Sequence, residues 1–475
     1  MLFNSFSFLV FLPIVFFLYW FVVNKKLHLQ NGLLLVASFF FYACWDYRFL
    51  FLLIFSTILG YYTGAKLYEA KTENGKKSWL LLSIFVNLGV LCFFKYFNFF
   101  SVSFASFISG FGLKIHPFTY QIILPLGISF YTFHGLSYVM DIYYNKILPE
   151  KNFIRYAVFV SFFPLLVAGP IERAGHMLPQ IQTKRAFQFS MAADGLKQML
   201  WGFFKKVVIA DNCALYVNMI FTHADNYSGS THFLAAIIFS IQMYCDFSGY
   251  SDIALGTARL FGIELLRNFA FPFFAKDIAE FWRSWHISLT SLATEYIFTP
   301  LSIAFRNFGK WGLGLAIIIN FVIIGIWHGA NWTFVLFGLL HGCYFIPLII
   351  TGKWNAKRKK AETLTLIDFL KMIGTGILVA LTLIVFRSES VSFAVKYFSK
   401  IFSSSFFTVP VFPFIPVVLG LFLFVVEWQG KKGQYGIQFL FNKSSRFIRW
   451  SFYYVLLFFI HKYFDTGLSF IYFQF

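Results

Sequence analysis

Charge is scarce in this chain. Only 12% of its 475 residues are Asp, Glu, Lys or Arg, and the acidic ones number 20. A soluble domain carries roughly a quarter charged residues, so a surface wetted on all sides is excluded. Cysteine is scarce as well. Cys44, Cys92, Cys213, Cys245 and Cys343 stand apart in apolar sequence, with no CxxC pair and no metal-ligand spacing. A disulfide framework and a metal site are therefore not expected, and five buried free thiols are. A Gly-rich nucleotide loop is missing, and so is any internal repeat or matched pair of Gly/Pro-broken segments of the kind that marks many transporters.

Apolar residues fill the space. They make up 59% of the chain and include 71 Phe. Crossing a bilayer takes about 20 apolar residues in a helix. Uncharged runs of that order cover Met1–Asn24, Leu27–Trp45, Phe49–Ala65, Ser78–Phe94, Trp311–Gly352, Met372–Phe386 and Ile401–Val426. Less clean runs lie at Tyr120–Met140, Tyr156–Ala168, Met191–Ile209, Phe233–Tyr244 and Trp450–Ile460. The expected fold is all-α, a polytopic transmembrane helical bundle of about eleven spans, with interfacial or re-entrant helices in its middle. One membrane-embedded domain is expected over 1–475, with N-terminal helices to 145, a core over 146–350 and C-terminal helices from 351. The first run lacks a basic leader and a small-x-small cleavage site, so it reads as a retained helix.

The net charge of +19 does not indicate nucleic acid. Its basic residues cluster at the ends of apolar runs, at Lys25-Lys26, Lys66–Lys77, Lys205-Lys206, Lys353–Lys360, Lys431-Lys432 and Arg446–Arg449. That is the positive-inside pattern, with added attraction to anionic headgroups. Counting from Lys25-Lys26 forward and from Lys431-Lys432 to the end leaves both termini on the extracytoplasmic side.

Two islands are too polar for lipid. Gln242–Asp252 carries Asp246 and Asp252, whose burial needs a partner; Arg259, Arg267 and Arg283 are the candidates for a structural cluster. Lys276–Leu289 places Ile278, Trp282, Trp285 and Leu289 on one face at helical spacing, with Asp277, Glu280 and Arg283 broadly opposite. A single amphipathic helix is expected there, with His286 near its aromatic stripe. The longest uncharged stretch, between Lys310 and Lys353, holds 42 residues and two histidines, His328 and His341. Ionisable groups inside a membrane segment are costly and are usually kept for function, and a neutral imidazole can still move a proton near pH 7.

The order of these motifs resembles a known family. Phe281–Leu289, with Trp285-His286, followed by Trp327-His328-Gly329, is similar to the signature of membrane-bound O-acyltransferases. The nearest branch is the membrane subunits of bacterial alginate and peptidoglycan O-acetylation systems. Phe94–Asn98, Leu124–Phe133, Val167–Arg173, Tyr244–Asp252 and Phe386–Glu389 fit the same branch in the same order. The resemblance implies a helical bundle in a bacterial cytoplasmic membrane, with a donor passage from the cytoplasm and an acceptor funnel from outside meeting at His328. It implies acetyl-CoA as donor, with no bound cofactor. The implied acceptor is an extracytoplasmic glycan, reached directly or through a periplasmic or extracellular acyltransferase partner. Where that branch carries Arg-Asp-Tyr, this chain has Thr294-Glu295-Tyr296, so Glu295 keeps the carboxylate and the arginine is lost.

Acyl transfer needs a base for the acceptor hydroxyl and donors for the oxyanion. His328 is the expected base. His286 is expected to orient it or to donate to the oxyanion, with Asn331 and the Trp327 N–H as further donors. Asp246, Glu295 and Arg283 are expected in support, and His341 as a helix–helix hydrogen bonder. If Trp311 starts a helix, His328 stands about 25 Å along it, and Gly329 with Asn331 lets the chain turn back. The C-terminal Phe470–Phe475 resembles a terminal motif tied to acyl relay, with Tyr472 as carrier; the plain alternative is an interfacial aromatic belt. A transporter or flippase for an envelope intermediate is the competing function class.

Overall fold

The computed structural model describes residues 1–113, 115–167, 169–355, 365–442, 444–464 and 470, and among these all regular structure is helical. The chain forms two compact units. The first comprises Met1–Met199 with Tyr250–Leu266, and the second Leu200–Gly249 with Arg267–Phe475.

The first unit holds α1 (Phe6–Phe17), α2 (Leu27–Ala43), α3 (Leu50–Glu69), α4 (Glu73–Ser109), α5 (Ile128–Tyr143), α6 (Phe153–Ser161), α7 (Phe163–Leu166), α8 (Ala174–Gln182) and most of α9 (Phe189–Phe203). Buried polar groups on α2 are paired within the unit, as an apolar interior demands. On α2, Gln30 and Asn31 donate to the carbonyls of Arg185 and Ile181, both at 3.1 Å, and Arg185 Nη2 donates back to Asn31 Oδ1 at 2.6 Å. The run Tyr156–Ala168, expected as one span, is broken at Phe162 into α6 and α7. Pro164 has no N–H to offer the carbonyl of Val160, and that carbonyl lies 3.4 Å from His134 Nδ1 instead. Helix α5 starts only at Ile128, because Gly127 before it takes φ 69° and a Cβ there would lie 2.1 Å from the carbonyl oxygen of Leu166.

The second unit holds α10 (Asp211–Thr222), the larger part of α11 (Gly229–Leu260), α12 (Ile278–Ser284), α13 (Ile287–Ala293), α14 (Thr299–Ala304), α15 (Gly309–His328), α16 (Trp332–Tyr344), α17 (Ile346–Ile350), α18 (Leu366–Arg387), α19 (Val391–Ile401), α20 (Phe414–Gly430) and α21 (Arg446–Tyr463). Six helical stretches among the described residues are long and apolar enough to cross a membrane, at Tyr47–Glu69, Glu73–Ser109, Gly229–Leu260, Arg306–His328, Trp332–Ile350 and Leu366–Arg387. Four shorter apolar helical stretches cover Phe6–Val22, Leu27–Ala43, Phe153–Leu166 and Phe414–Gly430. The expected eleven is not reached on these criteria. Trp450–Ile460 sits in α21, whose ends carry Arg446, Arg449 and Lys462, and Ile401–Val426 is interrupted before α20 begins at Phe414.

Three further expectations are corrected. Lys205-Lys206 does not flank a helix at the headgroups. Both side chains are buried, at 2% and 1% exposure, in a π-helical turn over Phe204–Ala210. Of the cysteines only Cys213 and Cys245 are buried; Cys44 and Cys92 are exposed, and all five are free thiols. The stretch Lys276–Leu289 is two short helices rather than one, with Trp285 extended and His286 left-handed at φ 44°, ψ 53° between them.

Candidate active site

Every element of the candidate site belongs to the second unit. Its frame is the hairpin α15–α16. Helix α15 ends at His328, Gly329 is extended, and Asn331 caps α16 by accepting from Thr333 N at 3.1 Å. The two helices approach until backbone meets backbone. A Cβ on Gly338 would lie 2.2 Å from the carbonyl oxygen of Phe321. Gly338 and Gly342 form the small-xxx-small spacing that permits such contact between membrane helices. The sequence reading of two antiparallel helices turning at Gly329–Asn331 matches this hairpin.

His328 is 7% exposed and enclosed by rings. Trp327, Phe386 and Phe337 have centroids 4.9, 5.1 and 6.0 Å from it. His286 is fully buried, with Phe247 edge-on at 4.7 Å and Trp327 at 5.8 Å. The Trp327 indole thus touches both imidazoles. A left-handed backbone is uncommon for a residue with a Cβ and costs on the order of 1–3 kcal/mol, so it persists only where its surroundings impose it. Here the strap Asn268–Ala270 imposes it. Ile287 N donates to Asn268 O at 2.8 Å, Ala270 N to Ser284 O at 2.9 Å, and Ser288 Oγ to Asn268 Oδ1 at 2.6 Å. Strain of this kind gathers at functional sites.

A cavity of about 590 Å³ is walled by α12, α13, the π-helical turn Thr294–Phe298, α15 and the Trp354-Asn355 stretch. Arg283, Glu295, Asn320 and Trp354 contribute polar atoms or ring edges, and Arg283 Nη2 donates to the Trp354 carbonyl at 2.8 Å. Its wall includes Ile287, next in sequence to His286, and Ile324, one helical turn of about 6 Å before His328.

The structure gathers His286, Trp327 and His328 and places Arg283 and Glu295 together in the cavity wall. It gives Asn331 other work, since its Oδ1 caps α16 and its Nδ2 donates to Glu389 O at 2.8 Å. Asp246 lies in a buried ion cluster, where Lys206 Nζ is 2.7 Å from Asp246 and 2.8 Å from Asp211. Lysine makes this ion pair, where an arginine was expected. Asp252, in the first unit, accepts from Gln198 Nε2 at 2.7 Å. His341 Nδ1 accepts from Trp282 Nε1 at 3.2 Å, tying α16 to α12. Tyr472 lies outside the described residues. Phe470, two positions earlier, is buried with its ring 6.1 Å from Phe247. Sequence reasoning missed Phe247, Asn268, Phe337 and Phe386. Phe386 stood in a noted motif, but nothing in the pattern tied it to His328.

A sequence profile described as MBOAT, membrane-bound O-acyltransferase family, matches residues 76–360. The chain belongs to that family. It is 35% identical over 398 residues to the peptidoglycan O-acetyltransferase of Helicobacter pylori, covering 76% of this chain and 72% of the relative. It is 35% identical over 406 residues to a probable alginate O-acetylase of Azotobacter vinelandii, covering 84% and 77%. It is 28% identical over 255 residues to the teichoic acid D-alanyltransferase of Bacillus subtilis, covering 51% and 63%. The protein is an integral membrane O-acyltransferase, and the transporter alternative falls away.

Proposed function

We propose that this O-acyltransferase moves an acetyl group from a cytoplasmic thioester, acetyl-CoA, to hydroxyls of an extracytoplasmic polysaccharide, directly or through an extracytoplasmic acyltransferase partner. The names of the relatives support a cell-envelope polysaccharide as acceptor. The basic runs after the first apolar segment and around Lys353–Lys360 support a cytoplasmic membrane with both termini outside. The observation that carries the reading is the cavity ending one helical turn short of His328, beside the residue that follows His286.

In the proposed step His328 accepts the proton of the acceptor hydroxyl as its oxygen attacks the thioester carbonyl. The C–O bond forms, the C–S bond breaks, and the thiolate leaves with the proton returned by His328. The base contributes about 10²–10⁴-fold. His286, held in place by the Asn268 strap, orients the reacting centre through Trp327 or donates to the oxyanion. Arg283 and Glu295 act on the donor side. The burial of Phe470 beside Phe247 supports a second role for the C-terminus, with Tyr472 carrying the acetyl group between thioester and acceptor.

The test is O-acetyl ester content of envelope polysaccharide in cells carrying the wild type, His328→Ala or Tyr472→Phe. His328→Ala is expected to lose acetylation with unchanged membrane abundance, and full acetylation by it would sink the mechanism. Full acetylation by Tyr472→Phe would remove the relay and leave the direct route.

A further inference from the structure

The second unit has another cavity, which the acyl-transfer step does not use. A groove of about 600 Å³ runs between α18 and α20, with α11 behind it and the 3₁₀ turn Pro272–Phe274 across it. Its wall is apolar, with Ile241 on α11, Met372 and Ile377 on α18, and Phe424 and Val425 on α20. Ser240 also lines it, but its Oγ donates within α11 to Ile237 O at 2.7 Å. A polar substrate would lose its water here and gain little in return. Polar character gathers at one end. There the rings of Phe274 and Trp428 meet edge-on with centroids 5.1 Å apart, and Lys431 Nζ lies 3.2 Å from the Trp428 centroid. Lys432, next along the chain, and Lys371, next to Met372, are exposed. The carboxylates of that end are already engaged. Asp368 Oδ1 is 2.9 Å from Lys276 Nζ, and Glu427 is buried and accepts from Tyr244 Oη at 2.8 Å.

We propose that this groove holds one acyl chain of an anionic glycerophospholipid, with the lipid phosphate at Lys431. Length and charge together choose this occupant. Phe369 and Ala380 bound the α18 wall and stand roughly 16 Å apart along the helix. That is the depth of one leaflet, half of a hydrocarbon core of about 30 Å. A helix from a partner or a second copy would need a groove of twice that length. Apolar surface ending in positive charge on one side only is complementary to a single lipid, whose chain is apolar and whose head is anionic. Trp428 holds the Lys431 ammonium over its ring face, so the cation stands at the groove end before any lipid arrives. Lys371 and Lys432 add to the potential there, and basic residues at this depth favour anionic headgroups over zwitterionic ones. In the orientation proposed above, α18 starts and α20 ends at the cytoplasmic face, which assigns the lipid to the inner leaflet.

The test is photo-crosslinking of the full-length protein in detergent micelles, using phosphatidylglycerol with a diazirine on one chain. Peptide mapping is expected to place the label on the groove faces of α18 and α20. Unlabelled phosphatidylglycerol should displace the probe at lower concentration than phosphatidylcholine does. Lys431→Gln is expected to reduce that preference by a factor of about 5 and to leave displacement by phosphatidylcholine unchanged. Gly376→Phe fills the groove instead. A Cβ at Gly376 would meet nothing within 4 Å, so the ring enters the open space without a clash, and labelling of α18 and α20 is expected to vanish at an unchanged melting midpoint. Label found only on other helices, or label that persists in Gly376→Phe, would overturn the location. Equal displacement by the two lipids in the wild type, or an unaltered preference in Lys431→Gln, would overturn the recognition of the headgroup.

Discussion

The second unit buries ionisable side chains in two contrasting ways. Around the π-helical turn, Lys206 sits between Asp211 and Asp246, and Lys205 Nζ donates to Ser248 Oγ at 2.8 Å. Around the hairpin tip, His286 and His328 sit among Phe247, Trp327, Phe337 and Phe386. The first region buries charge and therefore must neutralise it with opposite charge. The second buries imidazoles, which can stay neutral and so need no counter-charge. A group locked in an ion pair is held in one protonation state, whereas an imidazole packed against aromatic rings can gain and lose a proton during turnover. The contrast assigns stability to the first region and chemistry to the second.

That assignment breaks most visibly at Lys206. Lys206→Met removes the cation shared by two buried carboxylates and is expected to cost about 3–5 kcal/mol, read as a lowered unfolding midpoint in detergent. Adding Asp246→Asn and Asp211→Asn should recover much of it, because the loss is one of charge balance. A single variant as stable as wild type would refute a stabilising role for the cluster. His286→Asn probes the other region. Asparagine tolerates the left-handed backbone, so the strap should persist while acyl transfer falls by about 10²-fold. An unaltered turnover rate would reduce His286 to packing. The smallest effect is expected at His176, a half-exposed imidazole in the first unit whose Nδ1 is 2.9 Å from Glu172 Oε2. The hydrogen bond to Glu172 raises its pKa above the ordinary value, against a lesser opposing effect of burial. Its stabilisation is complete below about pH 6.5 and is lost as pH rises through the raised value. His176→Gln should therefore melt earlier than wild type at pH 6 and converge with it at alkaline pH; a gap that widened with pH would contradict the sign.

Much of this was legible in the sequence because it depended on local pattern. The α15–α16 hairpin follows from an uncharged run with Gly329 and Asn331 at its midpoint, and it put His328 at a turn. The two-helix break at His286 was not legible. Helical spacing of Ile278, Trp282, Trp285 and Leu289 suits a continuous helix, and all four are buried, so the pattern recorded burial correctly and continuity wrongly. What breaks the helix is hydrogen bonding to Asn268, eighteen residues earlier, which periodicity does not register. Lys205-Lys206 misled for a related reason. Two lysines after an apolar run look like a membrane flank, and their burial becomes tolerable through partners that include Asp246 and Ser248 on another helix. The rings around His328 come from α15, α16 and α18, and no local pattern anticipates their meeting.

The glycine contact between α15 and α16 also bears on how tightly the site can be tuned. Helix pairs separated by side chains can drift when those side chains change rotamer, and small substitutions then shift their spacing gradually. Here main chain rests on main chain at Gly338, so the spacing has a hard lower limit and nothing flexible to absorb an increase. A site built on such elements is more precise than one carried by loops. The tolerance on the position of His328 is thus that of a rigid joint: variation in the surrounding aromatic residues can reshape the pocket without moving the base, while a single added methyl at the joint would move it.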